Sequence, residues 1–145
     1  MQVHHILRSK ETSAVFTVPP SMPVSEAVKL LSEKRIGALI VSDDDGDTPA
    51  GILSERDIVR EIGRRGSACL DDTVGDMMTS KVITAAPSDF SDQVLAEMTD
   101  GRFRHMPVLD GGKLVGVISI GDVVKARLSE LSMEKEALEG MIKGY

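Results

Sequence analysis

The sequence predicts an α/β fold of the α+β kind, in which two tandem β-α-β-β-α units pack sheet to sheet about a pseudo-two-fold axis and a helical extension follows. Three observations predict it. GILSERDIV (Gly51 to Val59) returns as GVISIGDVV (Gly116 to Val124), 65 positions on. At a shift of 67, TVPPSMPVSEAVKLL (Thr17 to Leu31) lies over TAAPSDFSDQVLAEM (Thr84 to Met98), and RIGALIVSD (Arg35 to Asp43) over RFRHMPVLD (Arg102 to Asp110). Within each copy the apolar residues change period in the same order, from strand-like to helical and back.

Each element follows from its residues. The lead-ins VHHIL (Val3 to Leu7) and VGDMM (Val74 to Met78) match loosely, with Met77 and Met78 read as core fillers. AVFTV and KVIT are β-rich and predict a first strand in each copy. Ala27, Val28 and Leu31, and in the second copy Val94, Leu95 and Met98, fall on one face of a helix. ALIV and MPVL are too short for helices. Turn residues follow them, DDDGDTP against DGGK, which accounts for the change of shift from 67 to 65. GILS and LVGVIS then return as hairpin partners, and DIVREIG and DVVKARLSELS close the copies as helices. The last helix is expected to run to about Lys143, with Val123, Val124, Leu128, Leu131, Ala137, Leu138, Met141 and Ile142 apolar at roughly helical spacing, for packing on a second copy or, alternatively, on the second repeat. A sheet with helices on one face leaves the other face bare, so the copies are expected to share one contiguous core. The expected limits are 12–72 and 73–132 for the copies and 133–145 for the tail, with RRGSACLDDT as a surface connection.

Composition excludes several classes of function. The net charge of −6 and the 3% aromatic content offer neither a basic face for a phosphate backbone nor stacking platforms for bases, so no nucleic-acid partner is expected. No 18-residue apolar run exists, so no membrane partner is expected either. A single cysteine, Cys69, forms no internal disulfide and fits a reducing cytoplasm. DDDGD (Asp43 to Asp47) hints at a calcium loop, but the place of its glycine holds Thr48 and that of its closing glutamate holds Ser54. His4 and His5 are adjacent and have no third ligand nearby. No metal site, catalytic residue or catalytic cofactor is predicted.

The duplicated G-h-h-S-x-x-D (h, apolar) carries the chemistry. Ser54 and Ser119 stand where a helix N-cap belongs, with Asp57 and Asp122 at the third helical position, so a capping box is one reading. The other reading uses the same corner. A helix N-terminus and a hydroxyl favour phosphate, while an acceptor-only carboxylate suits the vicinal hydroxyls of a ribose. Gly51 and Gly116 weaken a strand unless something approaches closely, which favours the second reading.

These residues, together with V-x-x-I/M-L/M in the lead-ins and RIGALIV and RHMPVLD on the central strands, resemble tandem cystathionine-beta-synthase (CBS) domains, the pair called a Bateman module. The resemblance runs from Val3 to about Leu131 and implies two clefts between the copies that take adenine nucleotides, AMP first, with ADP, ATP or NAD(H) as further candidates. One cleft would take Ser54, Arg56 and Asp57 with Ile52, Thr79, Lys81, Ile83 and the strand Phe103, Arg104, His105, Met106 and Pro107. The other would take Val117, Ser119 and Asp122 with Ala14, Phe16, Ile36, Gly37 and Ala38. Arg104 and His105 fall where relatives place phosphate-contacting bases, and Arg56 stands where the second copy has Gly121, so the first cleft is expected to bind more tightly. The resemblance further implies a homodimer and a separate effector protein. A ligand-free oligomerisation or partner-binding module is the alternative, and a nucleotide-processing enzyme a remote one.

Overall fold

The computed structural model describes residues 1–10 and 15–144. Helix α1 (Val3–Ser9) comes first. The first copy then runs through β1 (Thr17–Val18), α2 (Val24–Lys34), β2 (Ala38–Val41), β3 (Gly51–Ser54) and α3 (Glu55–Arg65). After a 3-10 turn (Ser67–Asp71) and the short α4 (Val74–Met77), the second copy follows as α5 (Ser91–Gly101), β4 (His105–Asp110), β5 (Lys113–Ser119) and α6 (Ile120–Lys143). The connection between copies is more than a surface loop, because Cys69 is fully buried within it.

The pairing repeats as the sequence does. β1 lies parallel to β2, with Val18 opposite Val41, and β2 pairs antiparallel with β3, Ala38 opposite Ser54. In the second copy β4 and β5 form the equivalent hairpin, His105 opposite Ser119. The first strand expected at KVIT does not form. Ala85 alone bridges Val108 in parallel, where Val18 meets Val41 in the first copy.

The two helices before the central strands end alike. Arg35 and Arg102 both adopt the left-handed conformation, at φ 54° and 55°. Their N–H groups bond back to Leu31 and Met98 carbonyls. Glycine is the usual residue at such a cap; the arginines accept the strain and in return stand at the mouths of the clefts described below.

One contiguous core was expected, and two are found. Leu39, Val41 and Leu53 of the first sheet pack with Val24, Ala27 and Leu31 of α2 and Ile58 of α3. Met106, Val108 and Ile118 pack with Val94, Met98, Val123 and Ala126. Side chains alternate along a strand, so Ile40 and Pro107, both buried, face away from these clusters, towards the seam between the sheets. The seam is open at two places, which prevents the cores from merging.

The copies are instead tied by exchange. Val74 of α4 is fully buried in the first copy's core, and Val3 and Ile6 of α1 are buried in the second copy's core. Matching backbone bonds fix the exchange: the Val74 N–H donates to Met22 O at 2.8 Å, and the Val3 N–H to Asp89 O at 2.8 Å. The repeated strand glycines belong to this exchange. A Cβ on Gly51 would lie 2.4 Å from Met78 Sδ and 2.8 Å from Thr79 O, and one on Gly116 would lie 2.7 Å from Leu7 Cδ2. The close approach inferred from these glycines is thus made by the opposite lead-in. Met77 and Met78 pack against the first core, as fillers do.

Gly51→Ala is expected to destabilise the protein by about 1–3 kcal/mol, because backbone as well as a side chain must move. Gly63→Ala, exposed in the last turn of α3 with nothing within 4 Å, is expected to stabilise it by up to about 1 kcal/mol. Urea unfolding midpoints of the two variants check both signs.

Candidate functional site

Both S-x-x-D corners form complete capping boxes. Ser54 Oγ accepts the Asp57 N–H at 3.2 Å, and Asp57 Oδ2 accepts the Ser54 N–H at 2.9 Å. The second corner matches, with distances of 3.1 and 2.8 Å for Ser119 and Asp122. Capping and a cleft-facing role are compatible. The box commits one carboxylate oxygen and so orients the other, while each serine, accepting with its oxygen, keeps its own O–H to donate.

The first cleft is a cavity of about 320 Å³ between the copies. Ile52, Ser54, Arg56 and Asp57 line one side of it. Thr79, Lys81 and Ile83 line a second side, and Phe103, Arg104 and His105 a third. Met106 and Pro107, expected here, do not line it. Met106 points into the second core and is fully buried. Pro107 is buried farther along β4, its carbonyl taken by the Ala85 N–H. Strand alternation forbids consecutive residues of β4 from all facing one cavity. The sequence reading missed Arg60 and Arg102. Arg60 was within reach of it, since it lies one helical turn after Arg56 on the same face of α3.

The electrostatics of this cleft oppose those of the whole chain. Arg56, Arg60, Lys81, Arg102 and Arg104 set five cations against Glu55 and Asp57. Arg60 stands 3.6 Å from Asp57 Oδ1. Among the described residues no carboxylate lies within 4 Å of the other four cations. Lys81, Val82 and Ile83, which line the cavity, take no backbone hydrogen-bond partner among the described residues.

The second cleft, of about 360 Å³, is lined by Phe16, Ile36, Gly37, Ala38, Val117, Ser119 and Asp122, as expected. Ala14 lies outside the described residues. This cleft differs in one decisive contact. Lys10 Nζ donates to Val117 O at 2.7 Å and pairs with Asp122 Oδ2 at 3.0 Å. Burial pushes the Asp122 carboxyl up, but the Ser119 amide and the Lys10 ammonium outweigh it and hold it below the ordinary carboxylate value. Lys10 escaped the sequence reading although the repeat signals it: with the two lead-ins aligned, Lys10 lies over Lys81.

Gly37 and His105 line both clefts and form the wall between them. A Cβ on Gly37 would lie 3.0 Å from the His105 ring. Burial lowers the imidazole's pKa from 6.5 against the pull of Glu55 and Asp122, so the ring is neutral at pH 7. His105 is therefore a neutral divider there, not a second cation beside Arg104.

A duplicated sheet-and-helix unit with exchanged lead-ins and clefts at both capped corners defines a paired-repeat binding module. The chain belongs to the CBS domain family, whose profile matches residues 7–64 and 74–129. It is similar to a CBS-domain containing protein of Agrobacterium tumefaciens, with 42% identity and a TM-score of 0.82 over 88% of this chain and 99% of that one. A mitochondrial CBS domain-containing protein of Arabidopsis thaliana is 38% identical over 83% of this chain, which spans 60% of that relative's length. A CBS domain protein of Pyrobaculum aerophilum, solved in complex with AMP, is 26% identical over 92% of this chain and 99% of that one, with a TM-score of 0.77.

The depressed Asp122 carboxyl fixes a sign for pH dependence. The group favours the folded state above its unfolded pKa, and this contribution is lost as pH falls through the lower folded value. Lys10→Met is therefore expected to raise the Asp122 pKa and to flatten the acid limb of the stability curve. Carboxyl NMR titration and melting temperatures between pH 7 and 3 check this.

Proposed function

We propose that the chain is a regulatory module that senses an adenine nucleotide in its first cleft, AMP before ADP, ATP or NAD(H), and passes the signal to a separate effector protein. The observation that carries this reading is that one cleft holds Asp57 together with Arg56, Lys81 and Arg104, cations none of which has a carboxylate within 4 Å among the described residues. A carboxylate oriented by its capping box suits the ribose hydroxyls. Guanidinium and ammonium groups without carboxylate partners suit phosphate. Ile52 and Ile83 supply apolar faces for the purine, and the backbone amides of Lys81–Ile83 supply hydrogen bonds to its rim. The AMP complex of the Pyrobaculum aerophilum protein supports the same ligand class.

The module binds and does not catalyse. In support, both corner hydroxyls accept a helix N–H, and neither serine is hydrogen-bonded to a histidine. Its two copies span 12–72 and 73–132 with the tail at 133–145, and it works as a homodimer, for which the exposed Val59 and Ile62 on α3 and Val124 and Leu128 on α6 provide apolar surface. A single buried thiol, Cys69, is consistent with the cytoplasm. No helix among the described residues is long and apolar enough to cross a membrane. For the second cleft a ligand-free role is the better reading, because Lys10 already neutralises the Asp122 carboxylate, through the Oδ2 that the capping box holds, and takes the Val117 carbonyl of the strand.

The pseudo-symmetry supplies its own control. Asp57→Ala and Asp122→Ala break equivalent capping boxes, so each is expected to destabilise the ligand-free protein by about 1 kcal/mol and to lower its melting temperature. AMP at 100 times its Kd is expected to stabilise the wild type by about 2.7 kcal/mol. Asp122→Ala should keep most of that shift and Asp57→Ala should lose it. Equal shifts in both variants would remove Asp57 from recognition. No shift in the wild type with AMP, ADP, ATP or NAD(H) would leave the partner-binding reading in its place.

A further inference from the structure

The second half of α6 has no use in its own module. From Leu131 to Lys143 every side chain is exposed, and an isolated helix of this length is marginal in water. Its apolar residues are not scattered. Val124, Leu128, Leu131, Leu138 and Ile142 are all exposed and recur at alternating spacings of four and three, with Lys135 as the fourth of six positions. At 100° per residue this seam stays within about 40° of one line along the helix. Val123 and Ala126, which face the module's core, lie about 100° or more from that line. Met133 and Met141 fall off the seam.

We propose that the seam is covered by the same seam of a second copy, with the two α6 helices antiparallel and the two-fold axis level with Met133. This deepens the two-copy association proposed above and rests on it. In antiparallel pairs, knobs of one kind on one helix meet the other kind on its partner. Every seam residue then finds a match: Val124 opposite Ile142, Leu128 opposite Leu138, and Leu131 opposite Lys135, each twice by symmetry. The flanking charges choose the direction. Antiparallel pairing sets Lys125 against Glu139 twice, and Lys135 meets a leucine, its exposed ammonium, 3.9 Å from Glu139 in the single chain, being able to turn to Glu134 across the axis. Parallel pairing sets Lys135 against Lys135 inside the seam and Glu134 against Glu139 on both flanks. One like-charge approach remains in the antiparallel form, Glu134 near its own copy, and the two Lys135 ammoniums flank it.

Cross-linking of the full-length chain distinguishes the arrangements, since Cys69 is fully buried and stays out of the reaction. Val124→Cys chains mixed with Ile142→Cys chains are expected to form an inter-chain disulfide under mild oxidation, and neither variant alone should do so. Val124→Cys linking to itself would overturn the antiparallel direction. Light scattering of Leu138→Glu with Ile142→Glu, both solvent-facing and outside the module, provides the second readout, expected to show at least a tenfold weaker dimer. A dimer of unchanged strength and no mixed disulfide would overturn the seam and leave the homodimer reading intact. A wild-type chain monomeric at all concentrations would overturn both.

Discussion

Reciprocal burial of the lead-in helices governs this structure. Val74 sits in the first core and Val3 with Ile6 in the second, so each copy completes itself only with residues that precede the other. Large-to-small changes at such sites cost a few kcal/mol, comparable to a sizeable part of a domain's net stability. The exchange also sets the clefts. Thr79, immediately after α4, exchanges backbone hydrogen bonds of 2.9 Å with Ile52. That ladder holds Lys81 and Ile83 opposite the Ser54 corner. On the other side Lys10, immediately after α1, is delivered to Asp122 in the same way.

Much of this was legible in the sequence, because duplication is a strong signal. The strand-helix-strand-strand-helix order of the first copy, the hairpin of each copy and both capped corners follow from residue spacing. Ten of the cleft-one residues and seven of the cleft-two residues line the cavities assigned to them. The failures have physical causes. Met106 and Pro107 follow His105 without a break in the sequence, but strand alternation turns Met106 towards the core. KVIT has strand-like composition, yet Val82 and Ile83 are used as a cleft wall and only Ala85 pairs. The single shared core was argued from burying bare sheet faces, but open clefts occupy part of those faces. The strand glycines pointed correctly to a close approach and wrongly to a ligand as what approaches.

Pseudo-symmetry makes the differences between the clefts readable. The two corners have nearly the same capping geometry, so the helix start itself discriminates nothing. Discrimination comes from what the opposite lead-in brings. Lys81 enters the first cleft without a carboxylate partner, while Lys10 closes on Asp122. Arg56 and Arg104 add charge on one side only, where the other copy has Gly121 and Gly37. The repeated geometry thus serves two electrostatic environments, one with four cations that have no carboxylate within 4 Å among the described residues and one in which Lys10 already faces the corner carboxylate, with Arg35 alongside.

The buried exchange also bears on how this chain can be divided. A cut in the turn at Ser67–Asp71 separates two sequence repeats but not two folding units. Each fragment would carry the plug for a hole in the other, and each would expose its own hole until the two met again. The copies are therefore not interchangeable parts to be shuffled singly between proteins. What inheritance can move is the interlocked pair, with Met78 kept matched to Gly51 and Leu7 to Gly116.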